Sequence, residues 1–576
     1  MADCDYMFPT SVKEVQKLGW DYIDIILFTG DAFVDHPSFG TACIARYLQK
    51  YGYRVAVVPQ PNWRDDLRDF TKLGAPRLYF GLNSGAMDSM VNHYTAGKRL
   101  RHDDAYTPEG KAGQRPDYAV TVYTRILKKL YPEIPVVIGG IEASLRRLSH
   151  YDYWQDRLFP SVLADSGADW LCYGMGERPM LEITRAIEHG WSMHQIESIR
   201  QIGFFRKGQF KAGNSPVCIL HSYEECRKEK KAFAENFHLI ETNANMMSPE
   251  TLVEPVNDGY VRINPPYPPA TEQEMDSFWD LPFTKLPHPR YKDKRIPAYD
   301  MIKFSINTHR GCFGGCNFCT IAAHQGKFIQ CRSEASICRE AEALNCLPDF
   351  AGNISDLGAP TANMYGMGGK DKALCAKCRR KSCLFPAPCK NLDRSHARVS
   401  ALYDKVLSVK GIRHAYIGSG IRYDLFLDEN GYVDGTSYDY FRNLVLKHTS
   451  GRLKVAPEHT EDKVLYYMAK PSFRLFERLR HEFDRITAAA GVRTGIVPYF
   501  ISSHPGCTAA DMENLSRHPA LKGIWMDQVQ DFMPTPMTTS SVMYFTGLDP
   551  RTMKPVFVER NMDRKRAQKA FFFKKY

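Results

Sequence analysis

At 576 residues the chain is too long for a single ordinary domain core, so two or three domains are expected. Apolar residues at 44% and charged residues at 24% exclude a disordered chain, and no run of eighteen or more apolar residues marks a membrane span. The net charge of +11 is mild for this length, and an N-terminus carrying Asp3 and Asp5 without a basic-then-apolar pattern argues against a secretory signal, leaving a cytoplasmic location as the expectation.

The first segment, 1–245, alternates apolar runs with amphipathic ones. Tyr22 to Thr29, Arg54 to Val58, Arg77 to Leu82, Pro135 to Ile138 and Trp170 to Tyr173 predict buried strands. Gly40 to Tyr51, Ala119 to Tyr131 and the residues after Gly176-Glu177 predict helices between them. Strands alternating with helices imply a parallel α/β sheet covered on both faces, with ligand sites at the carboxyl ends of its strands. Gly139-Gly140 and Gly174-Met175-Gly176-Glu177 fall at such ends, where tight structural turns explain them equally well. From 246 to 298 prolines crowd the chain and predict an extended crossover.

A second alternating series fills 299–548. Strands are predicted at Ile302 to Asn307, Asn353 to Leu357, His414 to Ile417, Leu453 to Ala456, Ile496 to Ile501 and Ile524 to Val529, with helices notably at Leu402 to Val409, Phe441 to His448, Phe473 to Ala489 and Ala510 to His518. Six strand–helix units suit a partial (β/α)6 barrel whose site forms at the carboxyl ends of the strands. Gly358-Ala359-Pro360, Gly418-Ser419-Gly420, Pro457-Glu458-His459 and Ser503-His504-Pro505-Gly506 lie there. The short basic segment 549–576 carries nine Lys/Arg from Arg551 onward against Glu559 and Asp563; it is a solvated end or, as an alternative, an RNA contact.

The chain has sixteen cysteines, and ten of them lie between Cys312 and Cys389. In a long chain without a secretory signal such clustering points to metal. After the first strand of the second series, Cys312, Cys316 and Cys319 stand in a C-x3-C-x2-C spacing, with glycines at 311, 314 and 315 and Phe318 before the last cysteine. Thiolates are the usual ligands of iron–sulfur clusters, and three of them leave one iron of a 4Fe–4S cube open. A zinc site would want a fourth ligand and is not commonly spaced this way.

This signature closely resembles that of the radical S-adenosylmethionine (SAM) superfamily. The strings GGIEASLRR (139–147), YDYW (151–154), YGMGE (173–177), NTHRGC (307–312), PTANMYGMG (360–368), GSGIRYD (418–424) and KVAPEHT (454–460) further resemble the YgiQ-like family of radical SAM proteins over nearly the whole chain. The resemblance implies an N-terminal Rossmann-like, cobalamin-binding-like domain followed by a radical SAM barrel, and a 4Fe–4S cluster on Cys312, Cys316 and Cys319. It also implies SAM cleaved to a 5′-deoxyadenosyl radical that acts on an unidentified substrate, and an external electron donor of the flavodoxin or ferredoxin type. Phe318 would then neighbour the adenine, and Gly358, Ser419 and Glu458 would hold SAM. Many such proteins continue further at the C-terminus, whereas this chain is cut short after Gln568.

The sequence departs from the implied pattern at two places. The nearest string to the cobalt-ligating D-x-H-x-x-G is Asp35-His36, with the wrong spacing, so histidine-ligated cobalamin is not expected. The glycine-rich turn after the second strand reads Gly358-Ala359. Within the insertion 360–398, Cys375, Cys378, Cys383 and Cys389, with Cys346 as a distant further ligand, predict a second metal centre, zinc or iron–sulfur. His459 and His504 are read as structural more readily than as ligands, and Arg422 with Asp424 either lines the cavity or fixes its loop. The competing functions are an RNA-modifying radical SAM enzyme and a non-catalytic iron–sulfur regulatory protein.

Overall fold

The computed structural model of the chain describes residues 7–213, 216–523 and 529–572. The chain divides into two compact units: Met1–Ile240 with Ser248–Pro268 and Ser277–Lys303, and Glu241–Met247 with Pro269–Asp276 and Phe304–Tyr576.

In the first unit, β1 (Ile25–Thr29), β2 (Val55–Pro59), β3 (Tyr79–Asn83), β4 (Val136–Ile138) and β5 (Trp170–Cys172) are aliphatic or aromatic runs buried almost throughout. Strands with no solvent face read as continuous apolar runs, and this is why the sequence places them within a few residues. They pair in parallel in the order β2-β1-β3-β4-β5, and the helices Gly40–Lys50, Ala119–Leu130 and Glu177–Glu188 fall where the apolar periodicity predicts them.

The sheet does not end there, and it is mixed rather than wholly parallel. Four more strands extend it: β6 (Ile202–Lys207), β7 (Val217–Ile219), β8 (Thr251–Val256) and β9 (Gly259–Ile263), giving the order β2-β1-β3-β4-β5-β6-β9-β8-β7. β6 runs antiparallel to β5 and β9. The proline-rich stretch 246–298 is therefore partly sheet. Pro255 is tolerated because its partner Tyr260 lies one position from the turn, and the pairing of β8 with β7 stops at Val253, so no ladder donor is missed. Asn257, at φ +52, makes the two-residue hairpin turn to Gly259.

The carboxyl ends of β1 and β3, where the strand order reverses, carry a buried ion triad. The Arg115 side chain is fully buried, with Asp31 at 2.8 Å and Asp104 at 2.9 Å. Asp35 is held by Arg46 at 3.1 and 2.5 Å, and His36 Nδ1 accepts the Ser38 N–H at 3.1 Å.

In the second unit six strand positions pair in parallel in sequence order. They are β10 (Ser305–Asn307), β11 in two pieces (Asn353–Ile354 and Asp356–Gly358), β12 (His414–Ala415), β13 (Arg452–Glu458), β14 (Gly495–Ser502) and β15 (Val529–Asp531). Ile306 pairs with Leu357, Ile354 with Ala415, Ile421 with Val455, Leu453 with Ile496 and Phe500 with Val529. Helices Glu334–Leu344, Ala397–Ser408, Gly435–Lys447, Arg474–Ala490 and Ala509–Ser516 separate them and pack Leu344, Leu402, Phe441, Phe476 and Leu515 on the strands. Two boundaries differ from the sequence reading. Ile302 closes a helix, Pro297–Ile302, started by proline at its first position. Of the strand predicted at Ile524 to Val529, residues 524–528 lie outside the described residues.

The basic C-terminal segment is anchored on one side while Lys554, Arg560, Arg564 and Arg566 remain exposed, as a solvated end would have them. Helix Met562–Ala570 places Gln568 Oε1 to accept the Ser503 N–H at 3.1 Å. Arg551 pairs with Asp549 at 2.7 Å, Arg566 with Asp563 at 2.9 Å, and Lys565 is buried. Lys574 and Lys575 lie outside the described residues.

Candidate iron–sulfur and S-adenosylmethionine site

The C-x3-C-x2-C loop leaves β10 and doubles back, with His309–Arg310 pairing antiparallel to Gln330–Cys331. Its shape is set largely by Asn317. That residue's N–H donates to Met468 O at 3.0 Å, its amide nitrogen donates to Tyr467 O at 2.7 Å, its amide oxygen accepts from Lys381 at 2.7 Å, and its carbonyl accepts the Ser540 N–H at 2.9 Å. Gly315 sits at φ +66 with Ser382 so close that an added Cβ would stand 2.6 Å from the serine Cβ. Only glycine meets both demands.

Cys312, Cys316 and Cys319 form one electrostatic group. Burial raises the Cys319 thiol to about 12, and the charges of Cys316, Cys312 and Glu458 act in the same direction. Cys312 is raised by burial, opposed by Thr361, whose hydroxyl lies 3.4 Å from its sulfur, and by Arg422. The Arg422 guanidinium is buried; it donates to Cys316 Sγ at 3.2 Å and to both Asp424 oxygens at 3.0 and 2.5 Å. Burial would raise the Asp424 carboxyl, but Arg422 outweighs it and holds the group below the usual range. The pair thus both fixes its loop and reaches the thiols. Thiols at Cys312 and Cys319 that resist ionisation when bare, with the Arg422 guanidinium beside Cys316, fit a cation-rich cluster better than they fit bare thiolates. Among the described residues no three Cys, His, Asp or Glu side chains gather closely enough for a single metal ion. Ligands of a cube each bind a different iron and stand further apart.

Glu458 ends β13 after a register shift that follows Val455, and its φ is +72, a left-handed conformation uncommon outside glycine. It is buried, 3.7 Å from Lys470, and burial raises its carboxyl against that lysine. On Gly358 an added Cβ would fall on the Ser419 hydroxyl. Asp356 accepts the N–H groups of Gly418 and Ser419 at 2.9 and 3.0 Å and the Ser419 hydroxyl at 2.5 Å, so it ties the ends of β11 and β12 together. Neither Asp356 nor Asn317 was singled out in the sequence, because a short polar side chain beside a glycine turn looks like ordinary turn chemistry.

Phe318 packs edge-on to His504, with ring centroids 6.2 Å apart. His504 bonds Ser540 Oγ at 2.6 Å and Pro505 O at 2.8 Å, and burial lowers its pKa to about 3. His459 accepts the Glu461 N–H at 3.0 Å and is lowered by burial to about 4. Both histidines are neutral and occupied, as the structural reading expects. Cys375, Cys378, Cys383 and Cys389 gather round a separate cavity, while Cys346 is exposed beyond helix Glu334–Leu344 and does not line it.

The family model described as Radical SAM N-terminal matches residues 7–305, just over half of the chain, so the class is that of radical SAM enzymes. A second model, a domain of unknown function (DUF3362), matches residues 527–575. A UPF0313 protein of Bacteroides thetaiotaomicron is 51% identical, covering 98% of this chain and 93% of that protein. One from Methanocella arvoryzae is 44% identical over 97% and 91%, and the UPF0313 protein YgiQ of Escherichia coli is 40% identical over 98% and 83%. The chain belongs to the UPF0313 family of YgiQ-like proteins. Among solved structures, the radical SAM methyltransferase TsrM of Kitasatospora setae, with cobalamin and a [4Fe-4S] cluster bound, aligns with 90% of this chain and 74% of its own at 14% identity and a TM-score of 0.48. No helix among the described residues is long and apolar enough to cross a membrane.

Proposed function

We propose that the second unit is a partial (β/α)6 barrel in which Cys312, Cys316 and Cys319 hold a 4Fe–4S cluster, and that the chain uses it to cleave SAM and act on an unidentified substrate. The observation that carries this is the half-buried trio of cysteines on the loop at the carboxyl end of β10, with the buried Arg422 guanidinium donating to Cys316 Sγ at 3.2 Å. The cluster, when bound, supplies the electron that splits SAM into methionine and a 5′-deoxyadenosyl radical. The protein's own residues position and shield. Arg422 offsets thiolate charge, Asn317 and Gly315 fix the loop, and Phe318 offers an apolar ring to the adenine. Gly358 and the Ser419 turn present backbone for the SAM amino group, and Glu458 faces the same thiols as an acceptor for its ribose.

The first unit, with its β2-β1-β3-β4-β5 parallel core, is the cobalamin-binding-like domain, and the buried Asp31–Arg115–Asp104 triad stands at its switch point. The electron comes from a flavodoxin- or ferredoxin-type donor, and a reducing cytoplasm suits a chain whose described cysteines are all free thiols. An RNA substrate is not favoured, because the described cations of the C-terminal segment are largely paired locally.

Anaerobically reconstituted protein with dithionite and SAM should release 5′-deoxyadenosine, and its reduced cluster should change EPR signal on adding SAM. The Cys312→Ala/Cys316→Ala/Cys319→Ala variant should do neither. Continued 5′-deoxyadenosine release from that variant rejects the assignment.

A further inference from the structure

We propose that Cys375, Cys378, Cys383 and Cys389 hold a second iron–sulfur cluster, seated directly against the loop that carries the first; only the relation between the two rests on the reading above. The four cysteines line a single cavity of about 810 Å³. Among the described residues no three Cys, His, Asp or Glu side chains gather closely enough for a single metal ion, as a lone zinc would require and a multi-iron cluster does not.

The surroundings are those of bound thiolates. The Arg380 N–H donates to Cys378 Sγ at 3.4 Å, and the Asn391 amide donates to Cys375 Sγ at 3.4 Å. Such N–H···S bonds offset sulfur charge and tune cluster potentials. Lys327, Arg380 and Lys390 line the same cavity, so cations surround the four sulfurs.

Apolar burial contributes little to ordering the segment. Between Gly368 and Arg394, Leu384 and Leu392 are the buried aliphatic side chains, whereas Leu374 is 59% exposed. Regular structure amounts to a one-turn helix, Lys372–Ala376, and a two-residue ladder joining Gly368–Gly369 to Leu392–Asp393. That is little apolar area against the conformational entropy of about twenty-five residues, whereas cluster binding supplies folding free energy directly.

The quartet is joined to the signature loop at Phe313 and its neighbours. Phe313, next to Cys312, is buried in a small core with Leu384 and Leu392, against which Cys312, Cys383 and Cys389 all pack. The Cys383 N–H donates to Phe313 O at 3.1 Å, and the Ser382 hydroxyl donates to Gly314 O at 2.8 Å.

The test is iron, sulfide and zinc per chain, with Mössbauer spectra, on the anaerobically reconstituted full chain and three variants. Wild type should hold about eight iron, and the triple alanine variant of Cys312, Cys316 and Cys319 about four with a cluster spectrum of its own. The Cys375→Ser/Cys378→Ser variant should also hold about four, with its SAM-dependent EPR change intact. Asn391→Ala, which leaves every ligand in place, should keep the iron but shift the spectrum of the second cluster. Failure of the triple variant to hold iron while the serine variant matches wild type overturns the second cluster and leaves the first standing. Stoichiometric zinc in place of iron in the triple variant overturns it as well. Iron in the triple variant and none in the serine variant supports the second cluster and rejects the first.

Discussion

Both units expose a row of strand carboxyl ends, and both bury arginine–carboxylate contacts there, yet the two edges are built for different ends. In the first unit Arg115 lies between Asp31 and Asp104, so carboxylates surround one cation and the group closes on itself. In the second unit Arg422 satisfies Asp424 and still has an N–H left for Cys316. A buried ion group whose charges face only one another fixes a fold; one with a donor aimed at a thiol prepares a place for something else. The same sheet architecture thus yields a closed edge or a receptive one according to a few side chains on its loops.

The largest expected effect separates these two arginines. Arg422→Met leaves Asp424 buried and uncompensated, and Arg115→Met does the same to Asp31 and Asp104; each should cost about 3–5 kcal/mol in denaturant unfolding of the iron-free chain. Replacing whole groups should reverse most of that loss: Arg422→Met/Asp424→Leu in one unit, Arg115→Met/Asp31→Asn/Asp104→Asn in the other. The first-unit variant should then cleave SAM as wild type does, and the second-unit variant should not. Equal SAM cleavage by both would erase the distinction.

A somewhat smaller effect is a pH dependence confined to the first unit. Glu254 in β8 is buried, accepts the Ser149 N–H at 2.9 Å, and is pushed up to about 7 by that burial from an ordinary value of 4.5. The unfolded chain releases this proton near pH 4.5 and the folded chain only near 7. Stability should therefore be highest below that window and fall by on the order of 3 kcal/mol as pH rises through it. Glu254→Gln should remove the Glu254 share of the slope, read by hydrogen exchange of β8 and β9 against pH, and leave the share of Asp31, which burial raises to about 6. An unchanged slope places the titration elsewhere.

Much of the fold was legible because buried parallel strands leave continuous apolar runs: Ile25–Thr29 and Val55–Pro59 lie within a few residues of their predicted extents. The grouping of Cys312, Cys316 and Cys319 was legible because they lie within eight residues of one another on one loop after a predicted strand. The antiparallel half of the first sheet was not. Pro255 argues against a strand unless one knows that pairing with β7 has already stopped, and Val256-Asn257-Asp258-Gly259 shows its turn only once the partner strand is known. The docking of the C-terminal cations was hidden for a similar reason, since Asp531, Tyr544 and Ser503 are distant in sequence. Asn317 and Asp356 carry their contacts to other segments, where local sequence has no signal.

Two smaller effects complete the contrast. Gly315→Ala sets a side chain against Ser382 at a left-handed backbone position and should destabilise the second unit by roughly 1–3 kcal/mol, with hydrogen exchange in the first unit unchanged. Arg566→Ala removes an exposed pair with Asp563 and should change the denaturation midpoint by less than about 0.5 kcal/mol. A larger loss would mean that the C-terminal helix relies on that pair as well as on Gln568.

Asn317 also sets an order of events in making the protein. Its partners lie at 381, 467, 468 and 540, the last of them 223 residues further along. Contacts that close such long stretches of chain form late, so during synthesis the cysteine loop cannot take its final shape until the helix at Thr539–Thr546 has been made. On the proposed reading, iron would then enter an assembled unit rather than a growing chain. Translation arrested before Ser540 should leave a nascent polypeptide in which Cys312, Cys316 and Cys319 react with alkylating reagents as exposed thiols do.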